Sequence, residues 1–246
     1  MPEKHFAFYS GIATALGTVG ALATNSILPM WVSQLGWQKT VMLTGYIGVG
    51  IAILLGLIVR SKPASTRPSR REFRNWGHAF KRLWFIAKQW EFWANGLVGC
   101  LTFLPITVLA GLWGTSFLMK AYSMTPHHAA IADAIIFIGM SVGGPIAGWV
   151  SNRLGRRKMP LYFGSIMAIL LSFTLIYEHN ISHYTLYGLL FFLGFFTGSQ
   201  VLVFAIGREF SPPRSTGTSY AFTNLIVTSG AVIFAPLFVY NMVNMW

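Results

Sequence analysis

Long apolar runs separated by short polar segments organise this chain from end to end. A helix crossing the hydrocarbon core of a bilayer needs about 20 mostly apolar residues, with roughly 17–25 common and more if it tilts. Seven windows reach that length: 7–34, 40–59, 92–119, 127–150, 159–178, 184–207 and 216–241. The pattern predicts an all-α, polytopic transmembrane helical bundle of about seven spans. Two starts carry cap chemistry. Thr125-Pro126 puts a hydroxyl at the N-cap before a proline suited to the first helical position. Ser211-Pro212-Pro213 breaks the chain before the last span, where Ser215 or Thr216 can cap.

The segment 71–90 has a different rhythm. Phe73, Trp76, Phe80, Leu83, Trp84, Ala87 and Trp90 recur at helical spacing, with Arg71, Arg74, Lys81, Arg82 and Lys88 between them. A basic amphipathic helix lying among lipid headgroups fits this pattern, and so does a plain basic linker. Residues 61–70, rich in Ser, Pro and Arg, read as a flexible joint. The expected organisation is therefore two helices in 1–60, a connecting loop with an amphipathic helix in 61–91, and five helices in 92–246.

Composition sharpens this picture. Hydrophobic residues make up 54% of the chain and charged residues only 10%, too few to coat a soluble domain. Of the six acidic residues, only Asp133 falls clearly inside a span. The net charge of +12 could suggest nucleic acid, but the basic residues sit in short segments between apolar runs, so no nucleic-acid partner is expected. Met1-Pro2-Glu3-Lys4 makes a poor signal-peptide start, and the first run reads as a retained helix. The single Cys100 excludes a disulfide within one chain.

The basic residues also predict orientation. Segment 60–90 holds nine of them, 153–158 holds Arg153, Arg156, Arg157 and Lys158, and the next cluster is Arg208 with Arg214. These segments lie two spans apart and so share one side, while the intervening connections carry only Lys39 and Lys120. The positive-inside rule makes the rich side cytoplasmic. An integral protein of the plasma membrane or bacterial inner membrane is expected, with its N-terminus in the cytoplasm.

Small residues predict where the helices meet, because lipid gives apolar helices no reason to associate and close backbone approach must do so. Gly139, Gly143, Gly144 and Gly148 form two interleaved four-residue spacings on the fourth span. Gly48, Ala52 and Gly56 do so on the second, and Gly194 and Gly198 on the sixth. Pro105 and Pro145 interrupt the hydrogen-bond ladder within spans.

The stretch Gly148-Trp149-Val150-Ser151-Asn152-Arg153-Leu154-Gly155-Arg156-Arg157-Lys158 resembles the G-x-x-x-D-R-x-G-R-R loop of the major facilitator superfamily. Gly148 allows a neighbour to approach, Gly155 permits a tight reversal, and the arginines meet the negative end of a helix and the cytoplasmic leaflet. The aspartate of the pattern is Asn152 here, an uncharged amide unsuited to the family's Asp–Arg contacts. The resemblance makes this the weaker copy of the loop, between the family's helices eight and nine. Gly36-Trp37-Gln38 is similar to the G-W-R between helices five and six, and Arg60-Ser61-Lys62-Pro63 to the R-D-x-P closing helix six. Glu209, Pro213, Arg214, Gly217 and Asn224 resemble the pattern between helices ten and eleven. In this register the chain covers helices five to eleven of twelve, a partial major-facilitator fold. The expectation is a fragment, a split gene product or a truncated form.

The resemblance implies a secondary active transporter of a small solute, working by alternating access around a site near mid-membrane. Substrate-path candidates are the polar or aromatic residues within spans: Asn25, Trp113, Asp133, Gln200 and Asn224. Helix packing explains each of them equally well. Asp133 is the candidate for a coupling proton, although it lies about two turns from the outer end, where water can reach it. Gly148, Asn152, Arg153, Gly155, Arg156 and Arg157 form the cytoplasmic signature loop. His127-His128, His179 and His183 lie in outer loops without Cys or carboxylate partners, so no metal is expected. No cofactor is expected, and without a nucleophile–base–carboxylate set or phosphate-binding loop the chain does not read as an enzyme. The expected partners are the lipid bilayer, the solute and a second chain supplying the missing helices. The alternatives are a non-transporting accessory membrane subunit and a seven-helix receptor. The receptor is opposed by the direction of the termini and by a last span without the lysine that retinal attachment needs.

Overall fold

The computed structural model describes residues 6–58, 76–178, 181–212 and 215–245, without the side chains at 6–7, 22–26, 29, 76, 78–79, 235 and 237–245. The elements in order are α1 (Phe6–Leu35), α2 (Trp37–Ile58), α3 (Trp76–Ala87), α4 (Trp90–Leu104), a π-helical segment (Pro105–Trp113) and α5 (Gly114–Ala121). Then follow α6 (Pro126–Leu154), α7 (Lys158–Tyr177), α8 (His183–Thr197), a 3₁₀ segment (Gly198–Val201), α9 (Leu202–Glu209) and α10 (Thr216–Met245). No strand occurs among the described residues.

Five stretches among the described residues are long and apolar enough to cross a membrane: Trp37–Ile58, Trp90–Ala121, Pro126–Leu154, Lys158–Tyr177 and His183–Glu209. They coincide with the five inner windows of the hydropathy pattern. The outer two windows are the 30-residue helices α1 and α10. Each is about 45 Å long at ~1.5 Å per residue, more than a hydrocarbon core requires.

The chain divides into two compact units. In one, Gly20–Lys81, Gly36 takes φ +79 and ends α1, a left-handed value that suits a residue without Cβ. The Thr40 hydroxyl then donates to the Gly36 carbonyl at 2.9 Å. In α2 only Thr40 is buried. Within the segment 71–90 the described residues form the helix α3; residues 71–75 lie outside the described residues. Phe80 and Trp84 are exposed on it, and the Lys88 ammonium lies 5.6 Å from the Trp84 ring centroid.

The other unit, Met1–Val19 with Arg82–Trp246, is a bundle centred on α8, the 3₁₀ segment and α9. Its tightest crossing is α6 on α8. A Cβ on Gly139 would collide with the Phe191 carbonyl, one on Gly143 with the Phe195 carbonyl, and one on Gly194 with the Ile136 carbonyl. The expected small-residue spacings on these two helices are thus one interface. α4 also packs through glycine, here against side chains: Gly96 faces Ile226 and Gly99 faces Val227 of α10, Gly99 also faces Val203 of α9, and Gly230 of α10 faces the Cys100 thiol.

The expected cap at Thr125-Pro126 forms, with Thr125 Oγ1 accepting from the His128 N–H at 3.4 Å. Ahead of it, the buried Tyr122 hydroxyl donates to the Leu175 carbonyl at 2.6 Å and the Glu178 carbonyl at 3.2 Å. Burial first, and the Glu178 charge second, push this phenol above its ordinary pKa, which keeps it a donor. The two interior prolines differ in effect. Pro145 sits within an unbroken α6, whereas Pro105 opens the π-helical segment.

Candidate functional site

At the end of α6, Gly155 adopts φ +63 and reverses the chain, as its place in the loop requires. Arg153, in the last helical turn, lies 5.4 Å from the Trp149 ring centroid and near the negative end of the helix. Arg157 is the hub. Its Nη1 donates to Asn152 Oδ1 at 2.5 Å and to Ser151 Oγ at 3.3 Å, while its Nε donates to Glu209 Oε1 at 2.8 Å. Asn152 therefore does contact an arginine, as an amide acceptor, and the negative charge comes from Glu209 at the end of α9. Glu209 is half exposed, at 54%, so the ion pair is screened and its worth to folding is about 1 kcal/mol or less. What the cluster does is tie the α6–α7 loop to the end of α9. A cleft of about 480 Å³ opens beside it, lined by Asn152, Arg156, Arg157, Lys158, Glu209 and Phe210 among others.

Two spans lose regular α geometry. Pro105 has no N–H for the preceding turn, and the nine residues Pro105–Trp113 are wound as a π-helix. Trp113 ends the segment at φ −124 and ψ −4, outside the helical range, and is half-buried. Gly198–Val201 tightens to 3₁₀ within the most buried part of the bundle. An apolar cleft of about 440 Å³ borders the π segment at Leu104, Pro105, Val108 and Phe117.

The substrate-path candidates divide accordingly. Asp133 lies against Gly114, the residue after Trp113: one of its carboxylate oxygens stands where a Cβ on Gly114 would sit. That oxygen, Oδ1, is buried and has no hydrogen-bond partner. The expectation that water reaches Asp133 therefore fails for Oδ1: α5 covers it. Gln200 is buried, at 3% exposure, in the 3₁₀ segment. The neighbouring Gly198 backbone meets Gly143 and Gly144, about 16 Å along α6 from Asp133. Asn224 is exposed on α10. Asn25 lies on α1 with its side chain outside the described residues.

Two polar features of the core escaped the sequence reading. Asn95 Nδ2 donates to the Val203 carbonyl at 2.8 Å, joining α4 to α9, and the Thr102 and Ser165 hydroxyls meet at 3.0 Å. Asn95 was visible in principle as a lone amide within an apolar run, as Asn25 is. No group of three or more His, Cys, Asp or Glu suited to a metal ion occurs among the described residues.

Apolar helices long enough to span a bilayer, packed through glycine and ending in an arginine-clamped loop, define an integral α-helical membrane protein. The chain belongs to the major facilitator superfamily, whose family model matches residues 1–236. It is 25% identical to the membrane sensor protein UhpC of Salmonella typhimurium over 80% of this chain and 48% of that protein. It is 20% identical to the probable sulfoacetate transporter SauU of Cupriavidus necator over 72% of this chain and 44% of that one. With the arabinose-proton symporter of Bacillus subtilis it shares 30% identity over 56% of this chain and 29% of the symporter. Each aligned stretch covers less than half of the relative's own length.

Proposed function

We propose that the chain forms part of a secondary active transporter that moves a small organic solute by alternating access. The observation that carries this is the pair of irregular segments, Pro105–Trp113 and Gly198–Val201, inside two spans of one bundle. Irregular backbone at membrane depth is tolerated where it is buried in protein or lines a cavity, and in transporters it forms the substrate and ion sites. Relatives named as carriers of sulfoacetate and of arabinose with protons support the same reading. Trp113, Asp133, Gln200, Asn224 and Asn25 are the proposed solute-path residues. Helices corresponding to the family's first four and twelfth come from elsewhere in the protein or from a second chain. Residues 1–60 close the N-terminal half, 61–91 form the central cytoplasmic loop with α3 in the headgroup layer, and 92–246 begin the C-terminal half.

The test is uptake of a panel of organic anions and sugars by cells expressing the chain together with a polypeptide supplying the missing helices. One solute is expected to accumulate. Arg157→Gln, which cannot bridge Asn152 and Glu209, should lower its initial rate about tenfold, or ~1.4 kcal/mol, at unchanged membrane level. Failure of every solute to accumulate would count against transport. Saturable binding without accumulation would favour a sensor, the second reading, which the similarity to a membrane sensor protein supports.

The proposed orientation has its own check. Cysteines introduced near positions 65 and 155 should be labelled by an impermeant thiol reagent from the same, cytoplasmic face. Labelling from opposite faces would overturn the topology.

A further inference from the structure

A carboxylate oxygen with no donor, pressed against the end of an irregular helical segment, calls for a chemical explanation. Asp133 Oδ1 and the Leu109 carbonyl oxygen both crowd the point where a Cβ on Gly114 would sit. A side chain there would separate them, so the glycine is what lets α6 bring its acid up to the π segment. As an anion, Oδ1 would stand buried beside the negative end of a peptide dipole with no partner, an arrangement that low-dielectric surroundings penalise heavily. As a carboxylic acid, the same group can donate its proton to Leu109, whose carbonyl has a second lone pair to offer. No group of three or more metal-suited side chains lies there among the described residues.

We propose that Asp133 is a proton-binding site whose protonated carboxyl latches the Pro105–Trp113 segment by donating to the Leu109 carbonyl, and whose deprotonation releases it. This rests on the transport reading above and deepens it, naming a proton as the ligand and the π segment as the part that responds. The elements around this end of α6 bring other titratable groups. They are Lys120 on α5, Tyr122 in the connection, His127 and His128 on α6 itself, Tyr177 and Glu178 at the end of α7, and His183, Tyr184 and Tyr187 on α8. The π segment brings none. The Tyr122 hydroxyl is committed to the Leu175 and Glu178 carbonyls, and the Tyr187 hydroxyl lies 3.3 Å from His128 Nδ1. None of these groups hydrogen-bonds Oδ1.

The experiment combines infrared difference spectroscopy with amide hydrogen exchange on the whole chain in lipid nanodiscs, titrated with pH. The wild type is expected to show a carboxylic-acid C=O band that is lost as pH rises and is missing from Asp133→Asn. Amides of 106–114 should exchange about tenfold faster once that band is lost, while Asp133→Asn, whose amide donates at every pH, stays protected throughout. Gly114→Ala, which drives a methyl between the two oxygens, should exchange fast at every pH; it serves if Asp133→Asn does not fold. A band that survives in Asp133→Asn would overturn the proposal, as would exchange in 106–114 indifferent to pH in the wild type or protected in Gly114→Ala. Loss of the band on adding sodium at fixed pH would replace the proton site with a sodium site. Neither readout needs solute to move, so a failure here is separable from a failure of the uptake assay.

Discussion

Gly143→Val is expected to prevent the bundle from reaching its native packing, with a loss of roughly 3 kcal/mol or more. The reason is what the new side chain would meet. Its first carbon would overlap the Phe195 carbonyl oxygen and lie 2.7 Å from the carbonyl carbon and 2.8 Å from Cα of the same residue. Those are backbone atoms of α8 that cannot rotate aside, and α8 is also held by α7, where a Cβ on Gly164 would lie 2.8 Å from the Phe196 carbonyl oxygen. Relief would require α6 and α8 to separate along the whole row from Gly139 to Gly198. Reversible unfolding in mixed micelles, followed by tryptophan fluorescence, measures the loss. Gly188→Ala is the control on α8 itself: nothing lies within 4 Å of its added carbon, so the change should stay within about 1 kcal/mol of wild type. Equal stabilities for the valine variant and this control would refute the backbone-contact account of the crossing.

Asn95→Leu is expected to cost about 1–2 kcal/mol in the same assay. The upper figure reflects the usual penalty for orphaning a buried partner, the lower the modest worth of hydrogen bonds between helices in membranes. Asn95 is 8% exposed, and its amide bridges α4 to the Val203 carbonyl just beyond the 3₁₀ segment. Its amide nitrogen and the Thr223 hydroxyl of α10 both close on Gly207, 3.4 Å and 2.9 Å from where a Cβ would be. Leucine would keep the apolar contacts and lose the donor. If α4, α9 and α10 were held by apolar packing alone, Asn95→Leu would unfold with wild-type stability or better.

The span register was legible because hydropathy is a local property: 40–59 became Trp37–Ile58, and 159–178 became Lys158–Tyr177. The Thr125-Pro126 cap and the Gly155 reversal were legible for the same reason, since each needs only neighbouring residues. The glycine row on α6 pointed to a crossing, but its partner on α8 lies some fifty positions away and the spacing alone does not name it. Pro105 announced a disturbed ladder without saying which kind; a π winding depends on what packs outside the helix, here α6 and its Asp133. That same packing hides Oδ1 from the solvent that counting turns from the helix end would grant it. The loss of charge at Asn152 looked like loss of the arginine contact, because Glu209, 52 positions from Arg157, supplies its charge only through the fold.

Gly144 is met on one side by Gly11 of α1 and on the other by Gly198, with both carbonyl oxygens 3.7 Å from its absent Cβ. Helices that interlock by ridges and grooves behave like meshed gears, and one cannot turn on the other without stripping teeth. Where three backbones touch with no teeth at all, the joint is a plain bearing. It holds position by close fit and lets one rod pivot on the next without a side chain changing rotamer.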